Sequence, residues 1–285
     1  VPARASAAII ARRQAGNAVF VGFCIAVTIV ALGALALILW SLVSQGAAGF
    51  NAHLFTMDTP AAGSQGGLRN AIVGSIMLCV VAMVLATVVG VLAGTWLSEY
   101  AGESRYGSLI RFLNDVLLSA PSILIGLFVY QLLVKPFHGF SGYAGAVALA
   151  IIAVPVITRT TEDVLKLQPT ALREAGAALG APLWHVVRTI LWRAGTSGIL
   201  TGALLAFARI SGETAPLLFT ALNNQFFNWN MSKPMANLPV VIFNDALTPD
   251  TDLNRLAWAA ALLTAGAVLG VTIIARFFAT GSRRS

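Results

Sequence analysis

Arg209 and Glu213 stand four residues apart in AFARISGETAPLLFTA, residues 206–221, a stretch that is otherwise free of charge. On an α-helix that spacing puts both side chains on one face. An arginine at the centre of a bilayer costs about 3 kcal/mol on insertion scales, so it should face protein or a water-filled path and have a partner. Glu213 is the nearest candidate. Two chemistries are open to the pair. It is either a structural ion pair that locks helix packing or an anion contact on a transport path, with Glu213 moderating the positive field. The path reading assigns Arg209, Glu213 and the adjacent Thr214 to the route of the solute. Gly202, Gly212 and Pro216 would let this helix bend or pack closely.

A second organised stretch is EAGAALGAPLWHVVRTILWR, residues 174–193. Leu183, Val186, Val187, Ile190 and Leu191 recur with helical period, while His185 and Arg188 fall off that stripe. Upstream, Pro169 suits a first helical turn, and Leu172, Ala175 and Leu179 make a short stripe. Gly180 is a natural helix stop and Pro182 a natural restart. The spacing predicts helix, glycine turn, helix. Such a segment could lie on lipid headgroups as an amphipathic helix. Glu174 before a small-residue face and the turn at Gly180 favour a compact docking knob instead.

Other chemistries are excluded. The only lysines are Lys135, Lys166 and Lys233, and none completes a G-x-x-x-x-G-K-[ST] phosphate loop, so the chain is not expected to bind ATP that way. His53, His138 and His185 all fall in loops, which argues against an intramembrane Ser/His protease. Asp115 is the only aspartate near a span, which argues against an aspartyl one. Cys24 and Cys79 lie in predicted spans and are read as small packing residues, and no metal or other cofactor is expected in this chain.

The elements that must position these groups are membrane helices. Of 285 residues, 58% are apolar and 10% charged, and the mean hydropathy is +0.82, values of an integral membrane protein. Spans need about 20 apolar residues. Six are predicted: 18–42, 71–97, 112–134, 143–158, 195–222 and 256–275. The first is too long to read as a signal peptide, and Pro155 clouds the end of the fourth.

The net charge of +7 reflects topology rather than nucleic acid. With the N-terminus inside, Arg4, Arg12, Arg13, Arg105, Arg111, Arg159, Lys166, Arg173, Arg188, Arg193, Arg276, Arg283 and Arg284 are all cytoplasmic. Arg69, Lys135, Lys233 and Arg255 fall outside, which is a positive-inside distribution. Both termini and the 174–193 stretch are then cytoplasmic. The expected organisation is an all-α polytopic membrane protein of about six transmembrane helices. It forms one permease domain (1–285) with a core at 70–278 and a cytoplasmic loop carrying a short helix at 159–193.

The 174–193 stretch resembles the EAA loop of ABC importer membrane subunits, whose pattern is EAA-x3-G-x9-I-x-L-P; Glu174, Ala175, Gly180 and Ile190 match it in register. Gly176 replaces the second alanine, and Trp192 and Arg193 replace the final Leu and Pro. The resemblance implies a coupling helix that docks on a separate ATPase, through Glu174, Ala175, Gly176, Gly180 and Ile190. ARISGETAPLLFTA (208–221) and LPVVIF (238–243) resemble the Pst-type phosphate permease family, and the likeness extends from Gly74 onward. It implies a homologous second permease, two copies of an ABC ATPase carrying ATP and Mg, and an external phosphate-binding protein, in a bacterial plasma membrane.

Function is therefore expected to be inward movement of inorganic phosphate by alternating access. Arg209 could offer paired donors to phosphate oxygens. By residue chemistry alone another oxyanion would serve, and an ion-coupled secondary transporter using Glu213 is the rival class. A sensor or scaffold subunit that moves nothing is the third reading. The Asn- and aromatic-rich outer residues 223–255 read equally as a docking surface for the binding protein or as an interfacial belt formed by Phe227 and Trp229.

Overall fold

The computed structural model describes residues 2–61 and 63–281, with side chains over residues 12–61 and 63–275. Arg283 and Arg284 lie outside the described residues, as do the side chains of Arg4 and Arg276. Every regular element described is helical. In chain order they are α1 (Pro2–Ala48), α2 (His53–Thr56), α3 (Arg69–Glu99), α4 (Arg105–Ser119) and α5 (Ser122–Val129). A π turn at Tyr130–Val134 extends α5, and α6 (Gly142–Lys166) and α7 (Thr170–Ala178) follow. Next, α8 (Leu183–Val186) runs through a second π turn (Val187–Leu191) into α9 (Trp192–Ile210). The chain ends with α10 (Ala215–Thr220), α11 (Leu238–Ala246) and α12 (Thr251–Gly281).

Five helices are long and apolar enough to cross a membrane, and α4 with α5 and its π turn passes the same test only as a pair bent by 105°. The straight span expected at 112–134 is thus corrected. Ala120 and Pro121 are both extended, because a residue preceding proline is driven out of the helical region. Starts elsewhere follow local chemistry: Ser104, Ser141 and Asn237 accept from backbone N–H groups in the first turns of α4, α6 and α11. Pro155 does not end α6, which runs on to Lys166.

The continuous span expected at 195–222 is also corrected. The helix begins at Leu183, so the second helix of the docking knob and the span are one rod, and it stops at Ile210. The Ser211 hydroxyl turns back onto the Phe207 carbonyl at 2.7 Å, and Gly212 follows. Pro216 has no N–H to continue the ladder, so the chain restarts as α10 with proline in its first turn. Arg209 therefore ends one helix and Glu213 lies in the break.

Lipid gives helices no hydrophobic reason to associate, so small residues that allow close approach decide the packing. On α3, Gly74, Ala82, Ala86, Gly90 and Gly94 lie on one buried face at steps of four residues or a multiple of four. A β-carbon at Gly90 would stand 2.8 Å from Ile157 Cβ, and one at Gly94 would stand 2.7 Å from Thr161 Cβ. With Leu78 against Gly145, the same sequence offset recurs, so α3 and α6 run parallel in fixed register. On α9, Gly198 faces Val164 and Gly202 faces Thr160, an antiparallel register on the same α6. Central α6 is thus gripped by glycines from both sides. By contrast α1 meets the fold through Gly46 and Gly49 against α12, and Cys24 is exposed on it rather than packed within the chain.

Replacing Gly94 by leucine would drive a side chain into the Thr158 carbonyl, 2.5 Å from the new β-carbon. We expect Gly94→Leu to abolish recovery of monodisperse protein from membranes, whereas Gly266→Ala, with open space around it, leaves recovery unchanged.

Candidate permeation and coupling sites

The two broken spans meet. Gly126 of α5 packs on α10, where an added β-carbon would stand 2.6 Å from Pro216 Cα. Continuing the antiparallel register of α9 on α6 puts Arg209 level with about Ala153, midway along α6. Arg209 is exposed on this chain, Glu213 and Thr214 are half-buried, and neither charge has an ion-pair or side-chain hydrogen-bond partner among the described residues. The helix-face pair expected from four-residue spacing is corrected, because the helix ends between its members. The Glu213 N–H instead donates to the Ile210 carbonyl at 3.2 Å. The structure thus brings Arg209, Glu213 and Thr214 to one break without pairing the charges. Irregular backbone at such depth is tolerated where it is buried in protein or lines water. A nearer-surface group was missed by sequence reasoning: Arg159, exposed on α6, approaches Asp163 at 3.3 Å and Asp115 at 3.9 Å.

The docking segment has the expected form. Gly180 takes φ +73°, a left-handed conformation suited to a glycine helix stop, and the chain resumes helix after Pro182. Val186, Val187 and Leu191 are buried with Leu165, and Leu172, Ile190 and Trp192 pack around them. The predicted Leu172–Ala175–Leu179 stripe is only partly internal, since Ala175 is exposed and Leu179 is 87% exposed. The buried residue of α7 is Gly176, where a β-carbon would fall 2.5 Å from Val186 Cγ2. Glycine at that position has a steric reason. Glu174, Leu179, Leu183 and Trp184 are left outward, an apolar tip with one acidic group.

At the same end lies a charged cluster that no local pattern announced. The Glu99 carboxylate takes two bonds from Arg173, Nε at 2.8 Å and Nη2 at 2.7 Å, with Ser98 Oγ adding a third at 2.8 Å. Glu162 binds Arg111 Nε at 2.7 Å and Lys166 Nζ at 2.6 Å. Both carboxylates are only 3% exposed. The Glu99 carboxylate beside it raises the Arg173 pKa above the usual range, against an opposing effect of burial. Partners 74 and 51 residues apart are invisible to a helical ruler, and only the rarity of acids at the ends of apolar runs could have flagged them.

At the opposite end, Asp58 binds Arg69 at 2.9 Å and the Phe227 N–H at 3.2 Å, while the Arg69 guanidinium lies 4.8 Å from the centre of the Phe227 ring. Asn70 donates to the Asn224 and Gln225 carbonyls. These bonds tie the 222–237 segment to the head of α3. Phe227 is held inward, and Phe226 and Trp229 are exposed.

A bundle of helical spans, two of them broken where they meet, with a helix–turn–helix knob between two spans, defines a membrane permease. The chain belongs to the family described as binding-protein-dependent transport system inner membrane component, which matches residues 86–284. The phosphate transport system permease protein PstA of Haemophilus influenzae is 52% identical over 93% of this chain and 94% of its own length. Its counterpart in Yersinia pestis is 51% identical over 84% and 81%. The probable one in Methanocaldococcus jannaschii is 35% identical over 75% and 76%. Among solved structures, an inward-facing MetNI methionine ABC transporter chain aligns with a TM-score of 0.57 at 17% identity, covering 75% of this chain and 93% of that one; this likeness is one of fold.

Because Gly176 abuts Val186, Gly176→Ala should loosen α7 and lower the thermal midpoint of the purified protein by a few degrees, about 1–3 kcal/mol of overpacking. Adding Val186→Ala should recover part of that loss. A midpoint unmoved by Gly176→Ala would show that α7 is not seated there.

Proposed function

We propose that this chain is the permease subunit of an ATP-driven importer that moves inorganic phosphate inward across a bacterial plasma membrane. Its working complex contains a homologous second permease, two copies of an ABC ATPase that carry ATP and Mg, and an external phosphate-binding protein. Relatives described as phosphate transport system permeases, matched over nearly their whole length, support the solute. The outward tip of Leu179, Leu183 and Trp184 beside Glu174 supports docking of an ATPase, with Glu174, Ala175, Gly176, Gly180 and Ile190 forming or shaping the knob. The inside assignment of this end, and of both termini, rests on the basic residues Arg111, Lys166 and Arg173 gathering there.

The observation that carries the path is an arginine without a partner among the described residues, exposed at mid-depth beside a broken helix. Facing lipid it would be costly, so it faces water or the second permease, and the solute path supplies that water. Its planar fork can donate two parallel hydrogen bonds to an oxyanion. Glu213 and Thr214, one step along the break, temper the field and offer a hydroxyl. The break itself gives the route a hinge between α9 and α10.

Radiolabelled phosphate uptake, normalised to assembled complex, tests this reading. Arg209→Gln should lose nearly all uptake while assembly stays at the parental level, because Arg209 has no ion pair to lose among the described residues. Arg209→Lys, which keeps the charge without the fork, should retain partial uptake. Adding Glu213→Gln to Arg209→Gln should not restore it. A double variant that transports like the parent contradicts the path assignment.

A further inference from the structure

The structure shows how α7 is fastened, and the fastening is uneven. Toward α8 it is apolar: Leu172 packs against the cluster of Val186, Val187, Leu191 and the α6 residue Leu165, and Gly176 abuts Val186. Toward α3 its polar ties are those of one guanidinium. Besides its two bonds to Glu99, Arg173 donates from Nη1 to the Gln168 carbonyl at 3.0 Å and from Nη2 to the Leu165 carbonyl at 2.8 Å. It therefore joins α7 to the last turn of α3 and also caps the end of α6. The two-pronged geometry fixes orientation as well as distance. Arg111 makes a separate clamp, from Glu162 to the Leu97 and Gly102 carbonyls, that holds α4, α6 and the end of α3 together without α7.

We propose that the Glu99–Arg173 pair is the link through which movement of α7 reaches α3, in parallel with the α8–α9 rod, which carries the second helix of the knob directly onto α6. Resting on the importer reading above, the proposal makes Glu99 and Arg173 positioning residues for coupling, distinct from the knob surface that meets the ATPase. Because the Arg111 clamp remains, breaking the pair leaves the spans assembled. It removes the tie of α7 to α3 and leaves the α8–α9 rod with its own bond to α3, from Trp192 Nε1 to Thr95 Oγ1 at 3.0 Å. The consequence is ATP hydrolysis with less delivery of solute.

The test uses the complete complex in proteoliposomes with the binding protein, reading phosphate delivered per ATP hydrolysed and the amount of ATPase retained. Arg173→Gln and Glu99→Gln should retain the ATPase at the parental ratio and continue hydrolysis, with delivery per ATP lower by roughly tenfold. Arg173→Lys should fall between. A parental ratio in the Gln variants overturns the proposal, and so does loss of the ATPase, which would make the pair part of the docking surface. If the Gln variants fail to assemble, Arg173→Lys decides, since it keeps the charge without the fork; a parental ratio there overturns the proposal. A parental complex that moves no phosphate with ATP would instead overturn the importer reading.

Discussion

In hydrocarbon no water is available to satisfy an open backbone or a bare charge, and the rest of this molecule is arranged around that constraint. Two spans are broken, at Ala120–Pro121 and at Ser211–Thr214, and the half-helices that follow the breaks are placed against each other through Gly126 and Pro216. The exposed Arg209 lies at the second break. A permease needs solute-accessible polar groups at depth, and a broken helix supplies them where an intact one would hide its backbone. The half-helices after the breaks bury Ile125, Gly126, Pro216 and Leu217, while Pro121 and Gly212 at the breaks themselves stay exposed on this chain.

Central α6 makes that burial possible. Glycines on α3 and α9 let both helices approach it closely, and buried alanines of α3 and α6 meet in the largest apolar cluster. Packing of this kind has two discrete arrangements more readily than a continuum, because a ridge seated against glycine cannot slide by a fraction of a turn. The two ends of the bundle are then finished with charge. Arg69, Asp58 and Asn70 hold the loop between α10 and α11 at one end, and Glu99, Glu162 and their arginines hold the knob and spans at the other.

Much of this was legible in the sequence. Apolar runs located five spanning helices and the bent α4–α5 pair, the 3.6-residue period found the Val186–Leu191 stripe, and Gly180 was read as a stop and has the positive φ of one. What failed shares a cause. The Arg209–Glu213 face assumed that a long apolar run is one helix, whereas Gly212 and Pro216 together end the ladder. Pro121 carried the same signal within 112–134. Gly176 was noted as a departure from a pattern, but its reason, the Val186 side chain ten residues on, exists only after folding. Glu99 with Arg173, and Glu162 with Arg111, join residues far apart in sequence, and no local ruler pairs them.

On the proposed path, Arg209 faces water within the assembled permease. The most direct test places a cysteine there, Arg209→Cys, in a background with Cys24→Ser and Cys79→Ser, and measures the rate of reaction with a charged, membrane-impermeant thiol reagent in sealed vesicles of the complex. Reaction with the charged reagent is expected, at a rate that changes between nucleotide-free and ATP-bound complex as the path opens to one side and then the other. A cysteine that reacts only with a lipid-soluble reagent, in every state, would put residue 209 against the hydrocarbon and off any aqueous path.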